Sequence, residues 1–133
     1  MQVQRIPFET TQSFNQFFID FANQKESLKP FYHHYPKVEN FKAQVEEKSK
    51  SYTTQTRQVL VSSLQKQYEG LTISDAVGAN LNLLAEKNTF TVTTGHQLNI
   101  FTGPLYFIYK IATVINACKQ LKAQYPEYNF IPV

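Results

Sequence analysis

Between Asn88 and Cys118 the chain carries one formal charge, Lys110, in 31 positions, whereas residues 1–70 carry nine basic and seven acidic side chains. A stretch that sheds charge this way is enclosed by other structure on more than one side. The sequence therefore divides into a solvated, charged front and a buried rear, and the rear sets the fold class. Thr89 to Thr94 is β-branched or aromatic throughout, which predicts a strand. Gly95 to Thr102 reads as a loop, and Gly103-Pro104 opens a helix that runs to about Gln124, with Pro126 beyond it. One row of that helix holds Leu105, Ile108, Ala112 and Ile115, and a second holds Phe107, Ile111, Val114, Cys118 and Leu121. So wide an apolar arc is expected of a helix packed on a sheet and covered again. Tyr128 to Val133 reads as a second strand. Strand, long helix, strand is a βαβ unit, implying parallel strands and a right-handed crossover. Parallel sheets are buried on both faces and normally wider than two strands. The chain also stops within an apolar strand pattern, so it is expected to be the truncated front portion of a longer protein, poorly folded alone.

The front reads as helical. Phe14, Phe17, Phe18 and Phe21 follow i, i+3, i+4, i+7 spacing within Thr11 to Gln24, with Thr10 or Thr11 as the expected N-cap and Pro30 past the stop. Val38 to Lys50, with Phe41 and Val45 inward, is a second expected helix. Arg57 to Tyr68 is a third, ended by Gly70. Ser74-Asp75 opens a fourth, with Val77, Leu81 and Leu84 inward. The expected organisation is a helical region, 1–87, followed by the first βαβ unit of a parallel α/β sheet, 88–133.

Composition removes several classes. The net charge of +3, from 13 basic and 10 acidic residues, is too small and too dispersed to argue for nucleic acid. A single cysteine, Cys118, can form no internal disulfide and supports no Cys-based zinc site. The first residues contain no apolar h-region. Leu105 to Cys118 is interrupted by Lys110, Thr113 and Asn116 and is too short to span a bilayer. The expectation is a soluble cytoplasmic protein without a membrane partner. His33-His34 lacks further ligands at suitable spacing, so no metal is predicted. Glu46 and Glu47 read as solvated, and Cys118 as a buried, inert thiol.

The candidate site is the bend Thr94-Gly95-His96-Gln97-Leu98-Asn99-Ile100-Phe101-Thr102-Gly103-Pro104. It lies at the carboxyl end of the first strand, where open α/β sheets place ligands, and feeds a helix N-terminus suited to phosphate or carboxylate. Neither G-x-G-x-x-G nor G-x-x-x-x-G-K-[ST] is present. Gly95 is expected to adopt a turn conformation closed to other residues, and Gly103 to let a ligand approach the backbone. Thr94, Gly95, Thr102, Gly103 and Tyr106 are the expected anion-binding positions. His96 can serve as acid, base or hydrogen-bond donor, or simply be a loop histidine satisfied by backbone or water. Gln97 faces the same bend. Lys110 lies on the polar row Tyr106, Lys110, Thr113, and helical side chains lean towards the N-terminus, so its ammonium can approach an anion held there. An ordinary solvated lysine is the alternative. Arg57 opens a helix where positive charge is unfavourable, which points to a contact with an acidic group elsewhere that the sequence does not name.

The segment Thr93 to Tyr106 resembles the bacillithiol biosynthesis cysteine-adding enzymes (BshC), whose corresponding stretch reads approximately T-G-[QH]-Q-x-x-x-[FL]-T-G-P-x-Y. Tyr109-Lys110 and Phe130-Ile131-Pro132-Val133 fit the continuation, and Phe31-Tyr32 with Tyr35-Pro36 fits the helical front. The resemblance implies a Rossmann-like core related to class I aminoacyl-tRNA synthetases, with a connective domain and coiled coil outside this chain. It implies a ligase that joins cysteine to the amino group of glucosaminyl-malate by an amide bond, with the carboxylate activated most simply by ATP. In that scheme His96 and Gln97 stand where the synthetases carry their phosphate-contacting histidine motif, and Lys110 offsets charge on the leaving group. These three are the expected catalytic residues. The H-x-G-H motif of the synthetases is absent, and the family's acidic and histidine-bearing motif falls beyond Val133, so the fragment alone is expected to be inactive. The reading admits a homodimer formed through regions outside this chain. Two alternatives remain: another nucleotide-dependent transferase of related fold, and a non-catalytic module that docks through its aromatic front.

Overall fold

The computed structural model describes residues 2–101 and 103–133. It divides into two compact units, 1–40 and 41–133.

The first unit is built from short elements: α1 (Phe8–Thr11), α2 (Gln16–Ala22) and two 3-10 turns, Glu26–Phe31 and Val38–Asn40. The single helix expected from Thr11 to Gln24 is thus replaced by two. Gln12 turns into the left-handed region (φ 54°) and ends α1, and Asn15, not Thr10 or Thr11, caps α2 by accepting from the Phe18 N–H at 2.9 Å. The amide of Asn15 competes well for this role because Thr10 and Thr11 spend their hydroxyls on the carbonyls of Pro7 and Phe8. The phenylalanine stripe also splits. Phe14 and Phe18 stack at 4.7 Å with Phe8 edge-on to both, while Phe21 joins Tyr32 and Tyr35. Ring-on-ring contacts, with Tyr35 Oη donating to the Ala22 carbonyl, stand in for a buried aliphatic core.

The second unit contains α3 (Phe41–Ser51), α4 (Thr54–Tyr68), α5 (Asp75–Leu83), β1 (Thr89–Val92), α6 (Leu105–Gln124) and β2 (Asn129–Pro132). Thr53 and Ser74 cap α4 and α5 through their hydroxyls, and Gly70 takes φ 77° after α4. The core joins Leu81 and Leu84 to Ile131 of β2, with Val61, Leu64 and Val77 packed around them. Both strands run parallel, Thr89 opposite Asn129 and Val92 opposite Pro132. The pairing extends one step further, through Thr94 N–H to Val133 O and Val133 N–H to Val92 O. Asn129 and Val133 donate towards β1, so the nitrogen of Pro132, which has no hydrogen, faces away from it and costs the ladder nothing.

The fold is therefore mixed α/β with a parallel βαβ unit, as the sequence predicts. Helix α6 buries Val114, Cys118 and Leu121 of the second apolar row, with Phe107 half-buried and Ile111 exposed towards its start. The first row behaves otherwise. Leu105, Ile108 and Ile115 are exposed, so the expected second cover is not supplied by these elements.

Candidate functional site

The bend between β1 and α6 begins where the ladder ends. Thr94 is half-buried and held to Val133 by its N–H. The chain then leaves the sheet at Gly95, and the Gly95 carbonyl accepts from Lys110 Nζ at 2.8 Å. This bond brings the lysine back along α6 to the bend and occupies one of the three donors of its ammonium. Lys110 also lies 5.5 Å from the Tyr106 ring centroid, a cation–π arrangement. The expectation for Gly95 itself is corrected. It does not use the left-handed region, and a Cβ there would meet nothing within 4 Å. The backbone requirement lies at Gly103, with φ 67°, where a Cβ would fall 2.9 Å from Asn99 Cβ. Gly103 thus accommodates Asn99.

His96 is half-buried, stacked on Phe107 with ring centroids 4.0 Å apart and 23° between planes, and edge-on to Tyr106 at 6.0 Å. Its Nε2 is hydrogen-bonded to Asn99 Nδ2, which also donates to the Gln97 carbonyl at 3.0 Å. Gln97 is exposed and enters the network through that carbonyl. Gly103 N–H closes the turn on Ile100 O. Thr102 lies outside the described residues. Pro104 occupies the N-cap of α6 and offers no side-chain oxygen; its carbonyl takes the Phe107 N–H, and among the described residues no cap side chain takes the N–H groups before it. The structure therefore brings Gly95, His96, Tyr106 and Lys110 together at an uncapped helix N-terminus. It adds Asn99 and Phe107, which the sequence reading passed over. Asn99 stands three residues after the histidine and four before Gly103, a spacing that carries no signal without the positive φ at Gly103.

A concavity of about 530 Å³ in this unit lies beside β1 and is lined by Phe41, Val45, Tyr52, Arg57 and Phe130 together with all four β1 residues; none of residues 94–104 lines it. Its walls are organised by Arg57, 3% exposed, which donates to the carbonyls of Leu84 and Lys87 at 3.2 Å each and lies over the rings of Tyr52 and Phe90. The contact sought for this arginine is the backbone of the turn that enters β1, not an acidic group. Among the described residues, no group of three or more His, Cys, Asp or Glu comes together, and no helix is long and apolar enough to cross a membrane. Burial pushes the Cys118 thiol up from its ordinary range, which keeps it protonated.

A parallel βαβ unit whose glycine-punctuated bend meets an uncapped helix N-terminus defines the chain as a Rossmann-like α/β protein. The family described as "Bacillithiol biosynthesis BshC, N-terminal Rossmann-like domain" matches residues 1–133, and the chain belongs to it. Proteins named "Putative cysteine ligase BshC" are similar to it along nearly its whole length. That of Flavobacterium johnsoniae is 49% identical over 96% of this chain and 24% of its own length. That of Christiangramia forsetii is 50% identical over the same shares, and that of Cytophaga hutchinsonii 39% identical over 98% of this chain and 25% of its own length. The chain spans about a quarter of the length of these relatives. No solved structure matches it.

Proposed function

We propose that the chain forms the anion-holding βα corner of a ligase that joins cysteine to the amino group of glucosaminyl-malate in cytoplasmic bacillithiol biosynthesis. A free carboxylate does not acylate an amine at neutral pH, so the carboxyl of cysteine must first receive a leaving group, and ATP is the proposed donor. The cysteine carboxylate attacks ATP and expels pyrophosphate or ADP; the amine then attacks the activated carbonyl, the amide bond forms, AMP or phosphate departs with the electron pair, and the proton of the amine passes to solvent.

The observation that carries the reading is the convergence of His96, Tyr106 and the Lys110-braced Gly95 on the open N-terminus of α6. Free N–H groups at a helix start and a nearby ammonium favour a carboxylate or phosphoryl oxygen. His96 donates to that oxygen, the Gln97 amide lies beside it, and Lys110 offsets negative charge while holding the bend in place. Thr94 and Gly103 spend their own N–H groups on Val133 O and Ile100 O, so with Gly95 they shape the bend around that anion. The family membership and the naming of its relatives support the ligase class, and the nucleotide, the two substrates and the residue roles are the proposal.

The test is product formation from ATP, cysteine and glucosaminyl-malate by the full-length protein, with His96→Gln, Gln97→Ala and Lys110→Ala made separately. At least one variant is expected to lose most of its turnover. Unchanged turnover in all three removes the proposal, and appearance of AMP or ADP identifies how the carboxylate is activated.

A further inference from the structure

We infer that Asn99 is a positioning residue that locks His96 as the neutral Nδ1–H tautomer, so that His96 meets its ligand as a hydrogen-bond donor and not as a base. The inference rests on the reading of the bend as an anion-holding corner, and it narrows the three roles open to this histidine to one.

The argument runs through a single atom. Asn99 Nδ2 lies 3.0 Å from the Gln97 carbonyl oxygen. A backbone carbonyl only accepts, so the asparagine atom facing it must be the amide nitrogen and not the amide oxygen. That same nitrogen is hydrogen-bonded to His96 Nε2. An amide nitrogen donates and does not accept, so Nε2 must present a lone pair. A doubly protonated ring would set two donors against each other and could not make this contact. The proton of the neutral ring then sits on Nδ1. A half-turn of the ring would keep its plane on Phe107 but set Cε1 where Nε2 now meets the Asn99 amide, so the Asn99 contact fixes which edge of the ring faces it.

Asn99 is held in turn by the shape of the bend. Gly103 takes φ 67°, and a Cβ there would lie 2.9 Å from Asn99 Cβ and 3.2 Å from its Nδ2. A glycine at this position leaves room for the asparagine amide to lie across the turn. Two features that are separate in sequence, the asparagine and the glycine, therefore serve one histidine proton. With Nε2 occupied, Nδ1–H is the only ring donor left for a carboxylate or phosphoryl oxygen. Accepting a proton from a substrate amine would require breaking the Asn99 contact.

Long-range proton–nitrogen NMR on full-length protein labelled with nitrogen-15 histidine reads the tautomer directly, with His96 identified by the signal lost in His96→Gln. The wild type is expected to show a protonated Nδ1 and an unprotonated Nε2. Asn99→Leu and Asn99→Asp each remove the donor at nearly constant size, and both are expected to shift the proton to Nε2. A wild-type proton on Nε2, or a tautomer unchanged in the variants, overturns the inference. Failure of the underlying reading is separable from this: it would appear as full turnover in His96→Gln while the wild-type spectrum still shows Nδ1–H.

Discussion

Replacing Arg57 is expected to loosen the entry to β1 by an amount that the structure allows to be worked out. Arg57 sits in the first turn of α4, the wrong end of its own helix for a cation, yet its guanidinium donates to the Leu84 carbonyl at the C-terminus of α5, the right end of the neighbouring one. A second donor serves Lys87 O, two residues before β1. Arg57→Ala leaves two carbonyls without a donor, one of them buried, which costs about 1–3 kcal/mol for the buried one and less for the other. Loss of the cation–π contacts with Tyr52 and Phe90 adds about 0.5–1 kcal/mol. Relief of the desolvated charge offsets part of this, because no carboxylate partners it. The net is about 3 kcal/mol, or roughly a hundredfold faster opening. Arg57→Lys retains at most one of the two bonds and loses the planar stacking, for about half that cost. Hydrogen–deuterium exchange of amides 84–92 in the full-length protein measures the opening locally and does not require two-state unfolding. Acceleration of less than about threefold in Arg57→Ala would refute the reasoning, since it corresponds to well under 1 kcal/mol.

The two glycines of the bend are expected to respond differently. Gly103→Ala forces a side chain into the left-handed region and against Asn99, costing about 1–2 kcal/mol and perturbing the His96 signal, whereas Gly95→Ala meets nothing and changes the melting temperature negligibly. Lys110→Met removes the donor to Gly95 O and is expected to cost the exposed bend about 1 kcal/mol, read as faster exchange at amides 95–99 with β1 unaffected. The raised Cys118 thiol predicts a signed pH dependence. Below the ordinary thiol range both folded and unfolded forms are protonated and stability is unaffected; as pH climbs past it, the unfolded chain ionises first and stability falls. Cys118→Ala should flatten that alkaline limb in denaturant titrations, and alkylation of Cys118 should be slow until the protein unfolds.

Local pattern was enough to find the elements of the rear segment and much of the front. The change from helical period to a β-branched run located β1, Gly103-Pro104 located the start of α6, and Ser74 located the start of α5, because each is a short-range steric or capping signal. The aromatic front was legible as helical but not as two helices, since a stripe of rings specifies a face and not where the backbone turns. The same limit applied at the bend. The residue types pointed to His96 and Lys110, and the structure does bring both to it, but what each one touches was not readable.

What the sequence by itself determined is the order of elements and the parallel crossover, because periodicity and charge depletion are properties of neighbouring residues. Tertiary structure alone decided that Arg57 serves carbonyls 27 and 30 residues away, that Asn99 lies against Gly103, and that a cavity forms beside β1. Each of these depends on atoms brought together by folding, and backbone carbonyls, which every residue carries, leave no mark in the sequence to show which of them a distant side chain will find.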